Sequence, residues 1–158
     1  MTQGQVLVQT RSRTYWAVRV GDEENIRLPF AVGSFVCLLW DHASGSSSAR
    51  RDALAGELLR ARCRYFVCGG SDCDAWHAAA DEAFVHQHLG QADEELDAAH
   101  VMTTSHQAES SDDVAFFFVF CANVEHSCPK DYLVIHVGSG DQRGLNDAVV
   151  RHATENAV

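Results

Sequence analysis

The stretch that decides the fold covers residues 34–70, SFVCLLWDHASGSSSARRDALAGELLRARCRYFVCGG. Its first seven residues form an almost continuous apolar run, which is typical of a strand covered on both faces. A helix is predicted over about 48–61, because Leu54, Leu58 and Ala61 fall on one stripe behind serines that can cap it. A second buried strand follows at 63–68 and stops at two glycines. This order of strand, helix and strand predicts an α/β sheet with parallel strands.

The flanking segments extend the same pattern in both directions. The residues before it favour strands, and the residues after it favour alternating helices and strands. The predicted strands lie at 6–8, 14–20, 26–30, 101–104, 114–121 and 132–137, and the predicted helices at 72–84 and 141–154, with a short helix and loop over 89–99. The link between the last two strands is too short for a crossover helix, so we expect a hairpin there. The whole chain, 1–158, is expected to form a single domain: a three-layer Rossmann-like sheet, partly parallel, with N-terminal antiparallel edge strands.

Composition and charge narrow the class of protein. The chain has 158 residues with 46% hydrophobic residues, which is enough to bury a core without disulfides or metals. A net charge of −10 makes nucleic acid an unlikely main partner and leaves a basic protein as the alternative. No apolar run reaches the length of a membrane span, so no membrane is expected as a partner.

The cysteines and the first residues indicate a compartment. The N-terminus lacks the basic and apolar regions of a signal peptide, so we expect a cytoplasmic protein. In a reducing cytoplasm its six cysteines would be thiols or metal ligands rather than disulfides.

Polar residues follow several predicted strands, at the edge where open α/β sheets bind ligands. Asp41-His42, Gly69-Gly70-Ser71-Asp72, Ser105-His106 and Gly138-Ser139-Gly140 all belong to this set. Neither a P-loop nor GxGxxG is present. A polar, nucleotide-like ligand is nevertheless expected here, at a site lined by Asp41, Gly69, Gly70, Asp72 and Gly138.

The densest cluster of reactive residues follows the second buried strand. If a helix begins near Asp72, Cys73, His77 and Asp81 lie on one face at spacings of four. A thiol in the first turn of a helix with a neighbouring imidazole could act in nucleophilic catalysis, as a hydrolase or transferase. Cys68, Cys73 and His77 could instead bind zinc, with Cys121, His126 and Cys128 as a distant second set. Both hypotheses compete with a structural interpretation, in which Cys68 is a small core residue, Cys73 is half-buried, and His77 caps the helix or pairs with Asp81.

The same region carries a resemblance. The stretch at 63–70, continued by Asp72-Cys73, Trp76-His77 and Asp81-Glu82, resembles an uncharacterised bacterial domain family, and so do 101–106 and the Phe-rich segment 115–120. The resemblance covers residues 63–137 and implies a bacterial cytoplasmic origin but no known activity. Gly69-Gly70 and Glu82 are also loosely similar to the glycine turn and acid of nucleotide-handling Rossmannoid domains.

Three functions therefore stay open. The first is a binding domain for a polar small ligand or a protein at the glycine-rich edge of the sheet. The second is an enzyme that uses Cys73 with His77, with zinc as the candidate cofactor. The third is an acidic inhibitor of the immunity-protein type that covers a basic partner. Tyr15 and Trp16 could also contribute to a homodimer contact.

Overall fold

The computed structural model describes residues 3–21, 24–125 and 127–157, with the backbone alone at 97 and 98. Strands and helices alternate through most of this part of the chain. In order they are β1 (Gln5–Gln9), β2 (Thr14–Val20), β3 (Phe35–Asp41), α1 (Ser48–Arg60), β4 (Cys63–Gly70), α2 (Cys73–Gln87), α3 (Asp93–Ala98), β5 (Met102–Ser105), α4 (Ser111–Phe116), a π-helical segment (Phe117–Cys121), β6 (Asp131–Val137) and α5 (Arg143–Asn156).

The strands form one sheet in the order β1-β2-β6-β3-β4-β5. β1 pairs antiparallel with β2, and every other neighbouring pair is parallel. The predicted α/β class, its partly parallel sheet and its antiparallel N-terminal pair are thus confirmed. β1 is an edge strand, whereas β2 lies inside the sheet between β1 and β6.

Helices cover both faces of the sheet and make the three layers. On one face, α1 and α2 pack over Phe35, Cys37 and Leu39 of β3. On the other, α4, the π-helical segment and α5 pack over Val36 and Leu38 of the same strand. Successive side chains of a strand point to opposite faces, so a strand buried between two helical layers is apolar throughout. This is why the run at 34–40 predicts a central strand correctly.

The predicted strand at 114–121 is wrong. These residues form α4 and the π-helical segment, with Val114, Ala115, Phe118 and Val119 buried at helical spacing. Ser110 caps the helix, because its hydroxyl accepts a hydrogen bond from Asp113 N at 3.1 Å. A short continuous apolar run does not by itself distinguish a buried strand from a buried helix, and the cap decides this one. The expected hairpin with β6 is wrong for the same reason.

The predicted strand at 26–30 is also absent. Ile26, Leu28 and Phe30 instead pack against the core on the α1–α2 face. Ile26 N donates to Glu57 Oε1 on α1 at 3.1 Å, so its donor binds a helix side chain rather than a neighbouring strand. Pro29 has no N–H to offer a strand partner, which further disfavours pairing here.

Candidate functional site

The parallel strands bring their carboxyl ends to one edge of the sheet. From β3 the chain proceeds to β4 and β5 on one side, and it then returns to β6 on the other side of β3. The strand order therefore reverses between β3 and β6. In open α/β sheets ligands bind outside the carboxyl ends of the strands at such a reversal. We call this place, where residues 42–46 follow β3 and residues 138–142 follow β6, the switch-point edge.

A chain of three polar side chains lies at the switch-point edge. His42 Nε2 lies 2.8 Å from His136 Nδ1, and His136 Nε2 lies 2.7 Å from Asn146 Oδ1. The Asn146 oxygen can only accept, so His136 carries its proton on Nε2 and accepts at Nδ1. His42 consequently donates from Nε2, and its Nδ1 lone pair remains available as an acceptor.

The two imidazoles are held in the neutral form. Burial, opposed by the hydrogen bond to Asn146 and reinforced by His42 and Arg19, lowers the pKa of His136 to about 4. Burial also lowers the pKa of His42, followed by the charge of Arg19. Both rings are therefore uncharged near neutral pH. The chain supplies hydrogen bonds at this edge rather than positive charge.

Arg19 fixes the loop that follows β6. This side chain comes from β2 and donates to the carbonyl oxygens of Gly138 and Gly140. With its amide oxygen turned toward the guanidinium, Gln142 accepts from Arg19 Nε at 2.7 Å. Gly138 has φ +92°, a conformation that disfavours any side chain. The loop is thus held rigidly against β2 before α5 begins.

The two loops of the switch-point edge interlock at glycines. A Cβ at Gly140 would lie 2.4 Å from His42 Nδ1, and one at Gly138 would lie 3.1 Å from Ser44 Cβ. A side chain at 140 would therefore displace or cover the His42 ring. Ala43, directly after His42, has φ +57°, which costs a residue with a Cβ about 1 kcal/mol. Strain of this kind is concentrated at functional sites.

The predicted ligand residues serve the fold more than they line an open site. Asp41 is 1% exposed, and its carboxylate accepts from Trp76 Nε1 and from Ser44 N, each at 2.8 Å. Gly69 lies under the Trp40 ring, where a Cβ would approach to 2.8 Å. A Cβ at Gly70 would lie 2.5 Å from the backbone carbonyl oxygen of Asp41.

The other two predicted residues lie apart from each other. Asp72 is exposed at the start of α2, with φ +52° and no capping hydrogen bond from its side chain. Gly138 alone belongs to the switch-point edge. The corner after β4 is consequently closed by packing around Asp41, Gly69 and Gly70.

The Cys73 cluster does not form a catalytic pair in the structure. Cys73 is 3% exposed, and burial together with Asp74 raises its pKa, against the N–H groups of His106, Asp74 and Cys73 itself. The helix terminus therefore does not produce a reactive thiolate. His77 instead faces Asp81, with 3.6 Å between Nε2 and Oδ2, as one of the structural readings expects.

The predicted zinc ligands are likewise not assembled. Cys68 is completely buried, and burial raises its pKa well above the usual value. Among the described residues, no three His, Cys, Asp or Glu side chains are grouped so that they could hold a metal ion. Cys121 and Cys128 are exposed free thiols, and His126 lies outside the described residues.

Two further concave surfaces lie away from the switch-point edge. A groove of about 600 Å³ runs between α1 and α2, and its wall includes Val85 (60% exposed) and Leu89 (69% exposed). A cavity of about 430 Å³ lies at the amino ends of β4 and β5, lined by Tyr65, Met102 and Cys121 among others. Neither was expected from the sequence.

Sequence reasoning found only part of the switch-point edge. His42 belongs to the predicted polar set, whereas no motif in the sequence singles out His136, Arg19 or Asn146. The one signal for His136 was its position inside an apolar strand, where a polar residue needs a partner. That partner, Asn146, lies on α5 and cannot be deduced without the fold.

The fold defines the class: a mostly parallel three-layer α/β structure, with a cluster of hydrogen-bonded polar side chains at a reversal of strand order. The chain belongs to a family described as a domain of unknown function (DUF7684), whose model matches residues 15–155. The predicted membership of an uncharacterised family is thereby confirmed, over a longer stretch than the resemblance covered. No curated protein and no solved structure matches the chain. Within the described residues, no helix has the length and apolar character needed to cross a membrane.

Proposed function

We propose that this chain is a binding domain for a small, polar, nucleotide-like ligand that carries a negative charge and binds at the switch-point edge. The observation that carries this proposal is the His42–His136–Asn146 chain, which lies where the strand order reverses. Burying the His136 imidazole costs free energy, and an apolar side chain would fill the same space without that cost. Polar groups placed at such a cost are most easily understood as recognition groups.

The helix termini around this edge favour a negatively charged group. α1 and α5 begin directly after the two loops, and neither has an acidic residue in its first turn. In contrast, α2, α3 and α4 all carry acidic residues there. The free N–H groups of a helix start attract an anion when no carboxylate neutralises them. At α5 the Asp141 carboxylate already accepts a hydrogen bond from Arg143 N at 2.9 Å, so the start of α1 is the more favourable position for an anion.

The neutral His42 ring would recognise an uncharged part of the ligand. Its Nδ1 can accept a hydrogen bond from a ligand hydroxyl or amine, and Gly140 leaves the space beside that atom uncovered by a side chain. Asp141 lies within the loop of residues 138–142, and its ion pair with Arg143, 2.8 Å between Oδ2 and Nη2, offsets its charge. Sugar hydroxyls and a phosphate together match this combination of groups.

Nucleotide titration tests the proposal. We expect AMP or GMP, added to the full chain, to shift the imidazole NMR signals of His42 and to bind saturably by calorimetry. Gly140→Ala should weaken this binding at least about tenfold, because its Cβ displaces His42. Gly144→Ala is the matched control, since a Cβ at 144 meets nothing within 4 Å, and it should bind as the wild type does. Absence of binding by AMP, GMP and inorganic phosphate, or equal binding by both variants, would refute the proposal.

A second candidate function, binding of a basic protein partner, is favoured by the groove between α1 and α2. Its exposed apolar residues are bordered by Asp52, Asp81 and Glu82, against the single arginine Arg60. This combination fits an amphipathic segment with apolar and basic faces. A fluorescent Leu/Lys-rich helical peptide should bind, more weakly as the salt concentration rises. Leu89→Ser should reduce the binding, whereas Val32→Ser, at an exposed position outside the groove, should not. Binding that is absent, or unaffected by Leu89→Ser, would contradict this candidate.

The compartment and source remain proposals as well. All six cysteines lie in the described residues and are free thiols, which suits a reducing bacterial cytoplasm. A homodimer through Tyr15 and Trp16 is not favoured, because Tyr15 is 1% exposed and Trp16 packs on the core of its own chain.

A further inference from the structure

Three residues at the carboxyl end of the edge strand β5 are joined in one line of hydrogen bonds. Thr104 Oγ1 lies 3.0 Å from His106 Nε2, and His106 Nδ1 bonds to Glu109 Oε2. The Glu109 carboxylate accepts the Nδ1 proton, so Nε2 is left as the acceptor for the Thr104 hydroxyl. These are the contacts that define a nucleophile, its base and the acid that orients the base.

The neighbouring side chains fix the His106 imidazole and leave the Thr104 hydroxyl accessible. The His106 ring is 9% exposed and packs on Phe117, with the ring centroids 4.5 Å apart. Glu109 is 47% exposed, and Thr104 is partly exposed on β5, whose outer edge pairs with no other strand of the described residues. The imidazole is thus fixed by packing, while the group that would react lies at the rim of the sheet.

A cavity lies on the same face of the strand. Thr104 and Met102 are two residues apart, so their side chains share a face at a distance of roughly 7 Å. Met102 lines the cavity of about 430 Å³ together with Tyr65 and Val124, which give it partly apolar walls. A short acyl chain with its carbonyl carbon at Thr104 would extend along this face of β5 toward Met102 and the cavity.

The backbone offers a donor for the negative charge that develops on an acyl oxygen. His106 N donates to Cys68 O on β4 at 3.0 Å. Donors alternate along a strand, so the N–H of Ser105 is directed to the open outer edge of β5. An N–H from the residue after a nucleophile is a common donor to the oxyanion.

We propose that Thr104, His106 and Glu109 form an acyl-transfer site for small carboxylic esters. Thr104 Oγ1 attacks the carbonyl carbon while its proton passes to His106 Nε2. The bond to the leaving alcohol then breaks, and the alcohol departs with that proton. Water, deprotonated by His106, hydrolyses the threonyl ester, which releases the carboxylic acid and restores the hydroxyl. This site lies at β5, apart from the switch-point edge, so either can exist without the other.

The test is covalent labelling of the full chain with an alkyl fluorophosphonate, a probe for activated hydroxyls. Attack by Thr104 Oγ1 forms an O–P bond, fluoride leaves, and the hydroxyl proton passes to His106. Peptide mass spectrometry should locate the adduct on Thr104. Thr104→Ser should retain labelling, and His106→Gln should slow it at least about 100-fold, as loss of a general base does.

A pair of isosteric variants separates chemistry from packing. Thr104→Val and Thr103→Val each remove one hydroxyl from β5, and the Thr103 hydroxyl bonds to Asp81 on the opposite face at 2.5 Å. Labelling should disappear in Thr104→Val and persist in Thr103→Val. Two results would overturn the proposal: no adduct on Thr104 in the wild-type chain, or equal labelling of Thr104→Val and Thr103→Val. Either would show that Thr104, His106 and Glu109 only stabilise the turn after β5. The wild-type result decides the question even if a variant fails to fold.

Discussion

At the scale of single residues, Asp41 and His136 each have a role in the structure that differs from the role their position in the sequence indicates. Asp41 ends a central strand, where polar residues commonly bind ligands. In this chain it is 1% exposed, and hydrogen bonds from Trp76 and Ser44 occupy both carboxylate oxygens. His136 shows the opposite case, because an apparent core residue forms the middle of a polar chain that reaches the surface at His42.

The buried imidazole makes stability depend on pH. The pKa of His136 is lowered from 6.5 to about 4 in the folded protein, by burial first and by His42 and Arg19 next. As the pH falls from 6.5 to about 4, the unfolded chain binds a proton at His136 that the folded chain does not bind, so the free energy of unfolding decreases. We expect His136 to account for a loss of roughly 2 kcal/mol between about pH 7 and about pH 4.5.

Urea denaturation at the two pH values measures this effect. His136→Gln keeps a hydrogen-bonding side chain without a titrating group, so its loss of stability on acidification should be smaller by that amount. Equal losses in wild type and variant would mean that His136 is protonated in the folded protein. Subtracting the variant removes the contribution of carboxylates and of the other histidines.

At the scale of elements, residues 114–121 show how the surroundings choose between helix and strand. All eight residues are apolar, and six of them are valine or phenylalanine, which favour strands. The serine cap and the two aspartates in the first turn favour a helix. Both sides of β6 are already occupied, by β2 and β3, so this run has no place beside it in the sheet. Packing on α5 buries one face of the resulting helix.

Two phenylalanines distinguish these alternatives by experiment. In a strand, Phe116 and Phe118 would share a face, whereas in the helix Phe118 is fully buried and Phe116 is 48% exposed. Phe118→Ala should therefore lower the free energy of unfolding by about 3–5 kcal/mol, as expected for a buried aromatic residue. Phe116→Ala, the matched control, should cost about 1 kcal/mol, for its contacts with Phe120 and His152. Similar losses in both variants, measured in urea, would argue against the helix.

At the scale of the whole molecule, the sheet is built around β3 and β6, and β1 is peripheral. The central strands are almost completely buried, whereas β1 exposes half of Val6 and only partly buries Leu7 and Val8. The family match begins at residue 15, in β2, so β1 lies outside it. Arg13, which directly precedes β2, donates a hydrogen bond to Val119 O of the π-helical segment at 2.8 Å.

Removal of residues 1–10 should therefore leave a cooperatively folding chain. We expect a lower urea midpoint, because the contacts of Leu7 and Val8 with the core are lost, and a single transition by circular dichroism. The newly unpaired edge of β2 should increase self-association, measured by sedimentation against the full chain. Loss of the cooperative transition would show that β1 is needed to complete the sheet.

The sequence by itself determined the α/β class, the strands at 34–40, 63–68 and 132–137, and the main helices. These features depend on the period and length of apolar runs, which are local properties of the chain. Only the tertiary structure decided that β6 inserts between β2 and β3, that 114–121 is helical, and that His42 meets His136 and Asn146. Those outcomes depend on which edges and faces remain free after the other elements have packed. Contacts between residues so distant in the chain exist only once the sheet has formed.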